Sequence, residues 1–217
     1  MSAEIRQLLL AQRVIPVLRL ASAELTERAA RCIAAAGFMS VEITLTVPGA
    51  IELIRRLARS AAPGFVVGAG TVLDLDTAQR CVDAGARFVV SPCVVPGMAK
   101  IAHAAGCAAL GGGFTPGEIL TAHREGSDMV KVFPASTGGP EHLRALHAVF
   151  PDILLCPTGG VSQQNMEAYF AAGAALVGVG NNIVDQKALQ AGDDARATEH
   201  ARGFLRPATS AGRGGDV

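Results

Sequence analysis

Residues 154–182, LLCPTGGVSQQNMEAYFAAGAALVGVGNN, decide the fold class of this chain. The segment contains an apolar run from Leu154, a helical stretch that ends at Gly173, and a second apolar run from Leu176. Each apolar run has the length of a buried strand, and glycines follow both of them. Because parallel strands need a helical crossover between them, this pattern predicts a βαβ unit in an α/β protein.

The same pattern repeats along the chain. Eight apolar runs alternate with helical, charge-bearing stretches: VIPVLRL from Val14, SVEITL from Ser40, FVVGAG from Phe65, FVVSP from Phe88, AALGG from Ala108, MVKVFP from Met129, LLCPTGG from Leu154 and LVGVG from Leu176. Glycines are expected to end the intervening helices at Gly37, Gly85, Gly106, Gly126 and Gly173. Eight such units predict a (β/α)₈ TIM barrel, with an open doubly wound sheet as the alternative.

The composition favours one domain and excludes several classes of protein. The 217 residues are 50% hydrophobic and carry zero net charge, which fits one large core and gives no electrostatic reason to bind nucleic acid. No apolar run is long enough to cross a bilayer, and the N-terminus lacks a signal-peptide pattern, so we expect no membrane contact and a cytoplasmic protein. Residues 1–203 are expected to form the barrel and residues 204–217 a flexible tail.

The cysteines, histidines and two glycine motifs give no further site. The five cysteines are scattered singly, which predicts reduced thiols rather than disulfides or zinc ligands. The five histidines lie on predicted helices without an HxxxH pattern or a paired carboxylate, so we expect them to be solvated and expect no metal. The GxG of VGAGTV lacks the third glycine of a dinucleotide fingerprint. Gly111, Gly112 and Gly113 are expected to form a flexible loop after strand five.

Lys131 is the first candidate for chemistry. It lies inside the apolar run MVKVFP, whereas the other two lysines lie on predicted helices. A lysine buried in a strand is costly unless it is paired or neutral, and desolvation favours the neutral, nucleophilic amine. The alternative is a structural lysine held in a buried ion pair.

Glu42 interrupts the second strand in the same way. If its carboxylate points into the barrel, it can meet Lys131 and transfer protons, directly or through water. The alternative is a structural counter-ion to Lys131 or to Arg19. Arg19 ends the first strand, and its fork of N–H groups suits a carboxylate or a phosphate.

The glycines after strands seven and eight predict a phosphate site. Gly159 and Gly160 follow strand seven, and Gly180 and Asn181 follow strand eight. Glycine lets the backbone approach an anion closely, and helices that begin after each loop, the first near Ser162, would direct N–H groups toward it. These two loops form the recurrent phosphate site of TIM barrels. The alternative is that they are turn glycines only.

From strand one through the helix after strand eight, the sequence resembles the 2-keto-3-deoxy-6-phosphogluconate aldolases. The matching segments are VLR, VEITLTVPGA, VGAGTVL, FVVSP, KVFPA and PTGGV. The resemblance makes Lys131 the Schiff-base nucleophile and Glu42 the proton shuttle. It also implies further contacts, to phosphate at Gly159, Gly160 and Gly180 and to the rest of the substrate at Thr71, Phe133 and Thr158. Asn181 stands where many members have serine.

The resemblance therefore implies a class I aldolase. Such an enzyme cleaves 2-keto-3-deoxy-6-phosphogluconate, a phosphorylated keto-sugar acid, to pyruvate and glyceraldehyde 3-phosphate, needs no cofactor and forms a homotrimer. Two other substrates stay open, the galactonate epimer and 4-hydroxy-2-oxoglutarate; Thr158 favours the gluconate type. Outside the aldolases, the alternatives are a phosphosugar isomerase or epimerase barrel and a non-catalytic phosphosugar-binding barrel.

Overall fold

The computed structural model describes residues 2–205, in which strands alternate with helices. The strands are β1 (Val14–Leu18), β2 (Ser40–Thr44), β3 (Val66–Gly70), β4 (Phe88–Val90), β5 (Ala108–Gly113), β6 (Met129–Val132), β7 (Leu155–Pro157) and β8 (Val177–Val179). The helices are α1 (Ser2–Gln12), α2 (Ala23–Ala36), α3 (Ala50–Ser60), α4 (Leu75–Asp83), α5 (Met98–Ala104), α6 (Pro116–Arg124), α7 (Ala135–Val149), α8 (Met166–Ala171), α9 (Gln186–Ala191) and α10 (Asp194–Arg202), and a 3₁₀ helix covers Asn181–Ile183.

The eight strands form one parallel sheet in the order β7-β6-β5-β4-β3-β2-β1-β8. The sheet curls on itself, and a bridge between Thr158 and Gly178 joins its two edges into a nearly closed barrel. The TIM-barrel prediction is therefore confirmed, and the open doubly wound sheet is wrong. All five glycines expected to end helices, from Gly37 to Gly173, have left-handed φ angles, the backbone conformation for which glycine is best suited.

Two separate apolar regions stabilise the fold. The larger one lies between the strands and the surrounding helices. The smaller one fills the barrel interior, where it includes Phe88, Met129 and Leu176, together with Ile5 and Leu9 of α1. Helix α1 therefore covers the amino-terminal end of the barrel. Gln12, at the end of α1, fixes it there, because its side-chain amide donates to Val14 and Ser40 and accepts from the Met39 N–H.

The three glycines after Leu110 correct one expectation. They form the end of β5 rather than a flexible loop. A Cβ atom on Gly112 would lie 2.5 Å from the Ser91 carbonyl oxygen and 2.6 Å from that of Pro92. Glycine is thus required for close packing against the segment after β4, and packing is what orders the strand.

Three other expectations also change. Helix α8 begins at Met166 rather than near Ser162, because the Asn165 side chain accepts the Ser162 N–H and holds this segment in a turn. Phe204, assigned to the tail, is only 2% exposed; residues 206–217 of the expected tail lie outside the described residues. His103 is not a lone solvated histidine, since its Nε2 lies 2.8 Å from Asp128.

No helix within residues 2–205 is long and apolar enough to span a membrane.

Candidate active site

Lys131 and Glu42 meet inside the barrel. Lys131 lies on β6 in register with Gly112 of β5 and Cys156 of β7, and its side chain points inward. Glu42 lies on β2, and its Oε1 is 3.9 Å from the Lys131 Nζ. Lys131 is 5% exposed and Glu42 is 2% exposed, so both ionisable groups are withdrawn from bulk water.

Burial dominates the electrostatics of this pair. It raises the pKa of the Glu42 carboxyl, and the positive charges of Lys131 and Arg19 only partly oppose that rise. Within the described chain, Glu42 Oε1 has no hydrogen-bond partner. A carboxyl with a raised pKa and an oxygen that has no hydrogen-bond partner is suited to exchange protons with a ligand. Burial also raises the pKa of the neighbouring Cys156 thiol to about 12, which keeps it neutral beside the amine.

A cavity of about 250 Å³ opens above Lys131 at the carboxyl ends of the strands, the end at which TIM barrels carry their sites. Its lining comprises Val17, Arg19, Lys131, Phe133, Thr158, Gly159, Gly160, Val161, Gly180, Asn181 and Asn182. Arg19 and Lys131 are the cations in this lining, so the cavity favours an anionic ligand.

One side of the cavity is built from backbone. Gly159 and Gly160 have φ angles of +93° and +84°, a left-handed pair that other residues rarely adopt. Within residues 2–205, the N–H groups of Gly160 and Val161 donate no hydrogen bond. Asn182 donates from Nδ2 to the Val161 carbonyl at 3.0 Å and thereby connects the two glycine loops. Unused N–H groups and flanking glycines suit a phosphate.

Apolar and hydroxyl groups line the cavity beside the glycine loop, where the Phe133 ring lies next to Gly159. The Lys131 Nζ lies 5.4 Å from the centroid of the Phe133 ring. The Thr158 hydroxyl donates to the Cys156 carbonyl at 3.3 Å, a long bond that a ligand can replace. These groups surround the amine with a partly apolar wall, which limits the access of water to it.

The structure brings most of the sequence-predicted site residues together. Eight of them line the cavity: Arg19, Lys131, Phe133, Thr158, Gly159, Gly160, Gly180 and Asn181. Glu42 lies against Lys131 without lining the cavity. Thr71 follows β3, with an unusual φ of +62°, and is not part of the lining.

Three lining residues were not predicted from the sequence: Val17, Val161 and Asn182. Asn182 stands directly after Asn181 in the GNN segment, so the motif itself offered a signal. The two valines offered none, because apolar residues in and beside strands are ordinary core residues.

Metal ligands do not cluster in the described part of the chain: no group of three or more His, Cys, Asp or Glu side chains is placed to hold an ion. The chemistry available to the chain's own residues is an amine nucleophile, a carboxyl that can exchange protons, and an anion-binding loop. Together these groups can form and hydrolyse an imine on a phosphorylated carbonyl compound.

Comparisons with known proteins point in the same direction. The family model "Aldolase: KDPG and KHG aldolase" matches residues 5–200. The chain is 35% identical to a probable 2-dehydro-3-deoxy-6-phosphogalactonate aldolase of Rhizobium meliloti, over 83% of this chain and 85% of the relative. It is also 35% identical to a 2-dehydro-3-deoxy-phosphogluconate aldolase of Pseudomonas aeruginosa, over 89% and 88% respectively.

Among solved structures, the KDPG aldolase of Legionella pneumophila superposes with a TM-score of 0.83 at 30% identity, covering 93% of this chain and 98% of that one. That structure holds pyruvate captured at low pH as a covalent carbinolamine intermediate.

Proposed function

Because the chain belongs to the KDPG and KHG aldolase family, and is therefore a carbon–carbon lyase, we propose that it cleaves 2-keto-3-deoxy-6-phosphogluconate to pyruvate and glyceraldehyde 3-phosphate. The observation that carries the proposal is the buried Lys131 amine, 3.9 Å from a buried carboxyl, beside a cavity with a glycine-lined anion site.

The covalent steps begin at Lys131. Its amine attacks the C2 ketone of the substrate to give a carbinolamine. The Glu42 carboxyl then donates a proton to the carbinolamine hydroxyl, which leaves as water, so that an iminium and a Glu42 carboxylate result. The iminium accepts the electron pair of the C3–C4 bond when that bond breaks, which leaves an enamine on Lys131 and releases the aldehyde. Water then hydrolyses the imine and frees pyruvate and the amine.

Glu42 carries the protons. It accepts the proton of the C4 hydroxyl, through a water, as the C3–C4 bond breaks, and it returns a proton to C3 of the enamine. A carboxyl that exchanges a proton in both directions needs a pKa nearer neutrality than an exposed glutamate has, and burial of Glu42 moves its pKa in that direction.

The two anionic ends of the substrate have different partners. The C6 phosphate binds the loops that contain Gly159, Gly160, Gly180 and Asn181, where unused backbone N–H groups face the cavity. Arg19 binds the C1 carboxylate or balances the phosphate. Phe133 and Thr158 contact the carbon chain between these ends. Thr71, directly after β3 and outside the cavity lining, is a further candidate contact that the family resemblance implies.

A second substrate has a specific observation in its favour. The relative from Rhizobium meliloti, a probable phosphogalactonate aldolase, is as similar to this chain as the phosphogluconate enzyme is. The galactonate epimer is therefore the second candidate. The unphosphorylated 4-hydroxy-2-oxoglutarate is a weaker candidate, because it would leave the glycine loops without a ligand.

A lactate dehydrogenase-coupled assay of pyruvate release tests the substrate, with the gluconate, its galactonate epimer and 4-hydroxy-2-oxoglutarate compared at equal enzyme concentration. We expect the highest kcat/KM with the gluconate. A higher value with the epimer would transfer the proposal to it, and no release from any of the three would refute the aldolase function.

Borohydride reduction in the presence of pyruvate tests the covalent step. Reduction should add the mass of a pyruvate-derived group to the peptide that contains Lys131 and to no peptide of a Lys131→Met variant. An unmodified Lys131 peptide in the active parent protein would refute the Schiff base.

The active form is a homotrimer in the cytoplasm. In support, Leu73 in the loop after β3 and Leu75 at the start of α4 are 57% and 43% accessible, an apolar pair that self-association would cover. Light scattering coupled to size-exclusion chromatography should give three times the 22.2 kDa mass of the chain. A monomer at micromolar concentration would refute the trimer.

A further inference from the structure

Strand β3 ends in the segment Gly68-Ala69-Gly70, which the proposed mechanism does not use. Neither glycine has a left-handed φ angle, so the backbone conformation does not require glycine at these two positions. Both are fully inside the barrel wall. The two glycines are therefore explained by neighbouring groups that fill the volume a side chain would need at these positions.

The space beside Gly70 is occupied by the Glu42 side chain. A Cβ atom on Gly70 would lie 2.6 Å from Glu42 Cδ and 2.8 Å from Cγ, and nearer still to Oε1. Real Cβ atoms essentially never approach other heavy atoms this closely. The carboxyl group of Glu42 thus fills the volume that any other residue at position 70 would need.

The same oxygen faces Lys131. Glu42 Oε1 is the atom 3.9 Å from the Lys131 Nζ, and within residues 2–205 it has no hydrogen-bond partner. No hydrogen bond in the described chain therefore fixes the direction of this oxygen. The orientation of this oxygen therefore depends on which neighbouring volume is open to it. The volume beside Gly70, which a Cβ atom would otherwise occupy, is the volume that it fills.

We infer that Gly70 is a positioning residue, whose missing side chain allows Glu42 to direct its carboxyl toward Lys131. The inference rests on the proposed role of Glu42 as the proton carrier. Gly70 is not part of the cavity lining, and the three atoms nearest to its Cβ position all belong to Glu42, so its influence on the reaction is expected to pass through Glu42. This property separates it from a glycine that is needed only for packing.

Gly68 supplies the matched comparison. A Cβ atom on Gly68 would overlap the ring of Phe88, with Cδ2 at 2.5 Å, and Phe88 lies outside the cavity lining. Alanine at either position therefore overfills the barrel interior from the same strand, but the atoms nearest to the new methyl group belong to Phe88 at position 68 and to Glu42 at position 70. Gly117 of α6, with nothing within 4 Å of its Cβ position, is the control for glycine-to-alanine substitution itself.

A double-mutant cycle tests the inference. Gly70→Ala and Gly68→Ala are each combined with Glu42→Ala, and kcat, KM and the thermal midpoint are measured for all variants and for Gly117→Ala. Because misplacing a proton-transfer group forfeits part of its roughly 10²–10⁴-fold contribution, we expect Gly70→Ala to lower kcat by about 10- to 100-fold with KM changed less than about threefold.

In the Glu42→Ala background, where the carboxyl is gone, Gly70→Ala should lower kcat no further and should cost less thermal stability than in the parent. Gly68→Ala should lower the thermal midpoint equally in both backgrounds and leave kcat within about threefold of its own background. Gly117→Ala should leave kcat unchanged and should not lower the thermal midpoint, because alanine fits this helical position without a clash. A shorter carboxylate should partly restore kcat, so Gly70→Ala with Glu42→Asp should exceed Gly70→Ala alone.

An equal kcat loss from Gly70→Ala in both backgrounds would overturn the inference. So would aggregation of both Gly70→Ala and its double variant with Glu42→Ala, because Gly70 would then act through more than Glu42. Aggregation of the single variant alone supports the inference. If Glu42→Ala leaves kcat unchanged, the proposed role of Glu42 fails instead, and the coupling in thermal midpoint still reports whether Gly70 makes room for it.

Discussion

The two ends of the barrel interior are built from the same eight strands but from different kinds of side chain. At the amino-terminal end, Phe88, Met129 and Leu176 pack with α1 into an apolar plug. At the carboxyl end, Lys131 and Glu42 are buried as charged or titratable groups beneath an open cavity. Because apolar burial stabilises the fold and buried ionisable groups oppose it, one end provides stability and the other provides chemistry.

The largest expected effect comes from removing the chemistry. Lys131→Met deletes the nucleophile while keeping an unbranched side chain, so kcat should fall by about 10⁴-fold or more. The variant should still unfold cooperatively in urea, because the apolar plug at the other end is intact. Loss of cooperative unfolding in this variant would show that Lys131 also contributes to stability, so that stability and chemistry are not divided between the two ends.

The complementary experiment weakens the apolar plug at the amino-terminal end. Phe88→Ala should lower the free energy of unfolding by about 3–5 kcal/mol, the usual cost of deleting a fully buried aromatic ring. At a temperature where the variant is folded, kcat should stay within about threefold of the parent. Urea titration and the pyruvate assay give the two numbers, with Phe88→Leu as the milder control. A fall in kcat well beyond threefold, measured while Phe88→Ala is folded, would show that the apolar plug also shapes the active site.

The smallest expected effect is a pH dependence of stability that arises from Glu42 at the carboxyl end of the barrel. Burial raises the pKa of Glu42 in the folded state above its ordinary value of 4.5, so its contribution to stability is present below pH 4.5 and is lost as pH rises through the raised pKa. Glu42→Gln cannot lose a proton, so the unfolding free energy of the variant relative to the parent should increase as pH rises. Urea titrations across this range measure the difference.

Glu118 supplies the control with the opposite sign. The N–H groups of Thr115 and Phe114 donate to its exposed carboxylate and lower its pKa, so its contribution is present above pH 4.5 and is lost as pH falls. Relative to the parent, Glu118→Gln should therefore be less stable at neutral pH, and this deficit should shrink on acidification. If the stability of Glu42→Gln relative to the parent fell as pH rises, as is expected for Glu118→Gln, the result would contradict the buried environment of Glu42.

The order of the elements and the reacting pair could be predicted from the sequence. Apolar runs of strand length leave a strong periodic signal. Lys131 and Glu42 stand out because each places an ionisable group in such a run, where burial needs a reason. The capping box that Thr115 and Glu118 form at the start of α6 is also a local feature, since both partners lie within one turn of helix.

What the sequence did not reveal depends on contacts between distant segments. Gly112 looked like part of a loop because its neighbour, the backbone of Pro92, is known only once β4 and β5 are paired. His103 looked unpaired because Asp128 lies on a different element. Gly70 was visible only as part of a GxG without the third glycine of a dinucleotide fingerprint, since nothing in the order of residues indicates that the Glu42 side chain lies over it.

The pairing of the first strand with the last has a consequence for how the chain folds. Val14 pairs with Val177, Ile15 with Gly178 and Pro16 with Val179, so the ring can be completed only after nearly the whole barrel has been synthesised. Until then β1 presents an unpaired edge to any other strand in its surroundings. During translation the nascent chain is therefore most vulnerable to intermolecular strand pairing just before β8 leaves the ribosome, and chaperone demand should be concentrated there.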